Sequence, residues 1–310
     1  MLALRPRESA KKFLFLCFFA PLLAEDSPSA QISVIAGGGV QNIKSNISTR
    51  TNKGFLRNYD VAHKDFFSFP LLGFELGYQE SGHQMFLKNY NGRDLSGIST
   101  GYGRKYGTWK TTLNLVSSLR EKAYENPYQI GDRNRTDVLK IGLKITQDYQ
   151  MGQYQRIFAS YLLANSHYKR EVMPFDSLKR ESVMQQFEVG LDWTIVHANV
   201  FVDYNNAEGS AETFRRTGFG LGGMWKFEND VVLAPSMSLA RQLASDENPI
   251  FHTKDNATIF KMSLNITKLQ LFNQPNLFAF ANCGLENRHS AIGFLSERFS
   301  TFLVGAGIRF

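Results

Sequence analysis

Arg298-Phe-Ser-Thr-Phe-Leu-Val-Gly-Ala-Gly-Ile-Arg-Phe310 closes the chain, and it alternates. Phe302, Val304, Ala306, Ile308 and Phe310 share one parity, while Gly305, Gly307 and Arg309 fall between them. Successive side chains of a strand point to opposite faces, so this spacing gives one apolar face and one that tolerates polarity. A strand at the very end of a chain exposes a row of unpaired backbone groups unless it closes a sheet on itself. Two architectures are compatible with that: the last strand of a soluble sandwich, or the closing strand of a barrel.

At the other end, residues 1–24 place Arg5, Arg7, Lys11 and Lys12 ahead of an apolar run over 13–23 and the small residue Ala24. That is the three-part layout of a secretory signal peptide, too short and too closely followed by Glu25 and Asp26 to be a spanning helix. Residues 25–310 read as one domain, with no Pro/Gly/Ser linker and no shift of composition to divide them. Removal of the leader takes Cys17 with it and leaves Cys283 alone, so no intramolecular disulfide can form. It also takes four basic residues and one acidic residue, which lowers the +7 of the precursor to +4. So modest an excess does not make a nucleic-acid binder. No later stretch approaches the roughly twenty apolar residues of a membrane helix. If the domain crosses a membrane, it crosses as a closed barrel, the other structure that satisfies every backbone group in lipid.

The clearest segment covers 137–149, where Leu139, Ile141, Leu143 and Ile145 alternate with Lys140, Gly142, Lys144 and Thr146. A helix stripe has no such period of two. Similar alternation marks 67–78, 182–195, 213–227 and 257–269, and fourteen segments can be traced in all. The third, 84–90, and the ninth, 198–206, are the weakest, which makes twelve the alternative count. In the thirteenth, Phe278 and Phe280 compete with Leu277 and Ala279, so its outward parity stays open. The longer connectors follow odd-numbered segments and the tight turns follow even-numbered ones, the layout of outer-membrane barrels. Tyr78, Tyr102, Tyr149, Tyr154, Tyr161, Tyr204, Trp193 and Trp225 lie mostly toward segment ends, where interfacial aromatic girdles sit. The expected fold is all-β: a transmembrane antiparallel up-and-down β-barrel of 14 strands (12 as the alternative), with short periplasmic turns and longer extracellular loops. The last strand is expected to pair with 31–42, whose Ile32 and Val34 continue its outward face.

Charged residues on the non-apolar parity form the candidate lumen lining: Glu75, Lys140, Lys144, Glu188, Asp192, Asp203, Arg216 and Lys261. In a barrel they project inward and either line a watery pore or tie the lumen shut through ion pairs. In a soluble β-protein they would be a solvated face. No catalytic constellation accompanies them. His63, His83, His167, His197, His252 and His289 lie in connectors or at strand ends without metal-ligand spacing. Gly218-Phe-Gly220-Leu-Gly-Gly223 matches G-x-G-x-x-G in letters, yet the period of two runs on into Trp225 and Phe227 where the nucleotide motif would open a helix. Inward glycines making room in a lumen explain it better. No catalytic residue, cofactor or metal site is expected.

Glu125-Asn126-Pro127-Tyr128, Gly131 and Arg135-Thr136-Asp137-Val138, together with Ala207-Glu208-Gly209, Glu247-Asn248-Pro249-Ile250-Phe251, Lys254-Asp255 and the closing Phe310, resemble the signatures of a gammaproteobacterial family of exported proteins known as a domain of unknown function. The resemblance implies an outer-membrane β-barrel and brings no substrate with it. The apolar face Phe302, Val304, Ala306, Ile308 and Phe310 likewise resembles the assembly signal of such barrels. Expected partners are outer-membrane lipids, the barrel-assembly machinery through the C-terminal strand, and possible small solutes; nucleic acid is not among them. The expected location is the cell outer membrane. Inward charges and glycines point to a passive channel or uptake protein for small solutes. The alternative is a closed barrel acting as a surface adhesin or receptor through its charged connectors at 120–136 and 166–180.

Overall fold

Fourteen long strands, each antiparallel to the next, curl until the last meets the first. The computed structural model describes residues 28–50, 54–60, 62, 64–119 and 121–310; the leader expected over 1–24 lies outside the described residues. The strands are β1 (Ser29–Lys44), β2 (Lys64–Glu80), β3 (His83–Asn91), β4 (Ser96–Tyr106), β5 (Trp109–Ser118), β6 (Arg135–Gly152) and β7 (Gln155–Tyr168). They continue as β8 (Ser182–Trp193), β9 (Val196–Ala207), β10 (Phe214–Gly223), β11 (Val231–Ala244), β12 (Ala257–Leu269), β13 (Leu277–Ser290) and β14 (Glu297–Arg309). Both weak segments are strands, β3 and β9, so the count is fourteen. Two short pieces extend the wall: Glu121–Tyr124 pairs with the start of β6, and Trp225–Lys226 pairs with β11 beyond the end of β10.

Closure is in register from Ser33 opposite Arg309 to Lys44 opposite Arg298. Past that ladder, Ile32 N–H donates to Phe310 O at 3.1 Å and Phe310 N–H donates to Ile32 O at 2.8 Å. Phe302, Val304, Ala306 and Phe310 are exposed on the outer face and Ile308 is half-buried, while Thr301, Leu303 and Gly307 are buried on the inner one. Leu113, Leu115, Leu139, Ile141, Leu143, Ile145, Val200 and Phe219 are exposed too, and together they make an apolar belt. A continuous belt of this kind has no place on a water-soluble monomer and suits a lipid surroundings. Among the described residues no helix is long and apolar enough to cross a membrane.

Tyr78, Tyr102, Trp109, Tyr149, Tyr154 and Trp193 gather at the end of the barrel that carries the tight turns, with the Trp109 and Tyr149 rings 4.7 Å apart. Tyr161 is placed differently from its expected position, mid-strand between Ile145 on β6 and Phe187 on β8. The open parity of β13 is settled by β14: Phe278 and Phe280 are buried inward and Leu277 and Ala279 are half-buried on the other face. A Cβ at Gly305 or Gly307 would stand 2.6 or 2.3 Å from those rings, so glycine on β14 is what gives the phenylalanines room inside.

At the opposite end, six of the seven long-side connectors meet over the barrel mouth. Leu56, Tyr128, Leu178, Ala211, Ile292, Phe294 and Leu295 form one buried apolar cluster, with Ile47, Met173, Ile250 and Phe251 packed on it. These residues come from the connectors after β1, β5, β7, β9, β11 and β13. Apart from the closing Phe310, the segments that carried the family resemblance lie in this dome or at its edge. Tyr128 O accepts from Tyr59 at 2.8 Å, Asn248 Nδ2 donates to the Tyr128 hydroxyl at 3.2 Å, and Arg133 Nη1 donates to Asn46 O at 2.7 Å and Pro127 O at 3.0 Å. Gly209 lies so close to Ser177 O that a Cβ would be 2.4 Å from it.

A charged crossing of the lumen as candidate functional site

The seventh connector, residues 92–95 between β3 and β4, goes inward. Asn91-Gly92 starts a tight reversal, with Gly92 N–H donating to Leu95 O at 2.8 Å. Leu95 anchors it against Val116, Leu162 and Ala164 on the inner faces of β5 and β7. Arg93 and Asp94 then reach the far wall.

Arg93 Nη1 donates to Glu188 on β8 at 2.7 Å, and its Nη2 donates to Asp203 on β9 at 2.8 Å. Its guanidinium also lies 4.2 Å from the centre of the Phe201 ring. Asp203 is register partner to Arg216 on β10 and accepts from its Nε at 2.8 Å and its Nη2 at 2.7 Å. Arg216 Nη1 donates to Asp94 at 3.1 Å, with a second, shorter bond from Nη2. Asp94 accepts from Gln186 at 2.7 Å, and its carbonyl accepts from Lys140 Nζ at 2.9 Å. The result is a chain of alternating charge, Arg93, Asp203, Arg216, Asp94, closed across the lumen. Burying such charges is costly unless each is paired and hydrogen-bonded, and here every guanidinium and carboxylate has partners on two sides.

Of the eight residues proposed from parity, Glu188, Asp203, Arg216 and Lys140 belong to this crossing. Lys140 also pairs with Glu121 at 3.1 Å. Asp192 lies toward the tight-turn end, where Arg156 bridges it at 2.7 Å and Asp148 at 3.1 Å, and His197 bonds to it as well. Lys261 pairs separately with Glu286 at 3.0 Å, and Glu75 is 3.9 Å from Lys88. Lys144 has no ion pair or hydrogen bond among the described residues and sits opposite Asn114 in register. Among the described residues, the Lys110 ammonium donates only to the amide oxygen of Gln84, at 2.7 Å.

Parity reasoning missed Arg93 and Asp94, which make the crossing. The signal was thin: two opposite charges in a four-residue turn after Asn91-Gly92, flanked by a strand too short to span on its own. Among the described residues no group of three or more His, Cys, Asp or Glu side chains could hold a metal ion. In the dome, burial pushes the Glu212 carboxyl up to about 7, with Arg180 opposing and Asp255 adding to the rise. Tyr128 donates to Glu212 Oε1 at 3.2 Å, and burial raises its phenol well above the ordinary range.

The chain belongs to the family described as "Protein of unknown function (DUF2860)", whose model matches residues 30–309. No curated protein matches it in sequence. Its shape is similar to the outer membrane channel DcaP of Acinetobacter baumannii, at 8% identity and TM-score 0.46 over 94% of this chain and 100% of that one. It is similar also to OmpT, an outer membrane protein of Vibrio cholerae, at 11% identity and TM-score 0.45, covering 94% and 100%. An anion-selective porin from Comamonas acidovorans follows at 8% identity and TM-score 0.44, covering 92% and 100%. Likeness at this level does not identify a function.

Proposed function

We propose that this member of the family is an outer-membrane channel for small solutes whose path is held shut at its waist by Arg93 and Asp94. The tight turns then face the periplasm and the dome faces outward, as in barrels of this layout. One observation carries the proposal: what crosses the lumen at its waist, below the dome, is a four-residue turn held there largely by ion pairs, while charged side chains line the wall on both sides of it. Ion pairs of this kind can exchange one partner for water or a charged solute, whereas an apolar plug cannot. No catalytic role is part of the proposal.

The test is conductance in a planar bilayer, with liposome swelling as a second readout. The wild-type protein should conduct weakly or in brief openings, and the double variant R93Q/D94N should conduct steadily. A folded double variant that neither conducts nor swells liposomes overturns the channel.

The dome favours a second reading, a closed barrel that acts as a surface receptor. Its outer side holds a cavity of about 370 Å³ bordered by Tyr59, Asp60, Phe251 and Phe294. Phe251→Ala should then abolish surface binding and leave conductance unchanged; undiminished binding would count against it.

A further inference from the structure

The wall has a gap. β2 pairs with β1 from Lys64 to Gln79, but it pairs with β3 only from Glu75 to Glu80. Over 64–74 no strand among the described residues completes its second edge. At the lower corner Asn89 Oδ1 takes the place of a strand, accepting from Phe74 N–H at 2.8 Å. Pro70 lies within this stretch, and a proline has no N–H to offer a second neighbour, so it suits a strand with one free side. Leu72 and Phe66 are 75% and 64% exposed, well above the 45–49% of Leu139, Ile141, Leu143 and Ile145, as expected where no neighbouring strand shields them. The cause is the crossing already described: the β3–β4 hairpin stops short and bends into the lumen, away from β2. Above the gap the connector after β1 returns, with Arg50 donating to Gln41 at 3.0 Å and lying 5.3 Å from the centre of the Phe67 ring.

The inner wall beside this gap differs from the rest of the lumen. Phe278, Phe280, Ile35 and Leu71 form a buried apolar cluster running across β13, β1 and β2, and Phe69 and Leu303 are buried next to it. That stripe ends at the free edge of β2. On the other side of the gap, β3 and β6 carry Lys88 and Lys144; among the described residues Lys88 has Glu75 at 3.9 Å and Lys144 has no carboxylate within 4 Å. An apolar stripe that ends at a side opening, with under-neutralised cations beside it, suits a molecule with a long apolar tail and an anionic head.

We propose that the free edge of β2 is a side portal through which a single-chain amphiphile with an anionic headgroup passes between the lumen and the outer half of the bilayer. Its tail enters past the exposed Leu72 and Phe66 and displaces the packing of Phe69, Leu71 and Ile35, which are buried, and its head meets Lys88 and Lys144. This rests on the channel reading of the lumen and assigns it a substrate class and an exit.

The experiment uses the full chain in nanodiscs with hexadecanoate bearing a photoreactive diazirine on its tail, and the cross-linked peptides are mapped by mass spectrometry. Labelling that unlabelled hexadecanoate competes away should concentrate on 64–74 and 278–280. Replacing both lysines, K88Q/K144Q, or replacing the probe by the matching hexadecanol should lower it about tenfold, the loss expected for a charge-assisted hydrogen bond. Heat-modifiable migration of each variant confirms folding. If β2 labels no more competably than the lipid belt of β6, the portal is overturned and the contact is bulk lipid only. Equal labelling by the acid and the alcohol overturns the anionic class. Potassium chloride conductance of R93Q/D94N separates the two claims. Conduction without competed labelling removes the portal and leaves the channel, and competed labelling without conduction removes the channel and leaves the portal site.

Discussion

Arg93 donates to Asp203 at 2.8 Å across the width of the barrel, from the tip of one hairpin to a fully buried carboxylate on the far wall. Asp203 takes Arg216 on its other side, so two cations depend on it. Asp203→Leu leaves both guanidinium groups without their shared partner and should destabilise the barrel by about 3–5 kcal/mol, the usual loss when one member of a buried pair is removed. Denaturant unfolding in lipid or detergent measures it. Arg93→Gln, which removes the charge from a partly exposed turn, should cost less and show its effect in conductance.

At the seam, Phe310 contributes both a backbone ladder to Ile32 and an exposed side chain. Phe310→Glu leaves the ladder possible but places charge on the apolar outer face of β14. The fraction of heat-modifiable, folded protein in outer-membrane preparations should fall several-fold. Each molecule that does fold should conduct as the wild type does.

Leu143 lies in the middle of the outward row of β6 and is 49% exposed. Leu143→Arg should cost about 2–4 kcal/mol, the depth-dependent loss for a cation on the lipid face near the midplane. If unfolding free energy in bilayers were unchanged, the belt would not be facing lipid.

In the dome, Glu212 is raised from 4.5 to about 7. A carboxyl that holds its proton more tightly when folded opposes folding once the unfolded chain has ionised. The contribution of Glu212 is therefore fully present below about pH 4.5 and is lost as pH rises from there through about 7, by a total of order 3 kcal/mol. Hydrogen exchange or limited proteolysis of the connectors between pH 5 and 8 should show the dome loosening as pH increases. Glu212→Gln should flatten that dependence.

The wall was legible because one solvent lies outside it and another within. Leu139, Ile141, Leu143 and Ile145 face lipid and alternate with residues facing the lumen, so period two survives intact in the sequence. It fails at 277–280, where both faces are apolar because Phe278 and Phe280 pack flat against Gly305 and Gly307 instead of meeting water. The neighbouring pair Asp203 and Arg216 follows from register once the strands are placed. Arg93 could not be placed the same way: its partner is 110 residues distant, and local turn chemistry at Asn91-Gly92 specifies a reversal without saying whether it folds outward or in. The gap beside β2 was hidden for a similar reason: it depends on where β3 stops, and Pro70 is the one local feature of β2 that agrees with a free side.

The pairing of β1 with β14 also sets a timetable. A ring whose first strand bonds to its fourteenth cannot be completed early on a growing chain, because β1 has no mate until β14 has been made. Until then the protein is a sheet with two bare edges, open to pairing with any other unfinished copy. A product truncated before Phe302 would keep most of its inward charges and its belt, yet lack the strand that joins beginning to end. Closure thus inspects length: only a chain that has reached β14 can join the two ends of the sheet.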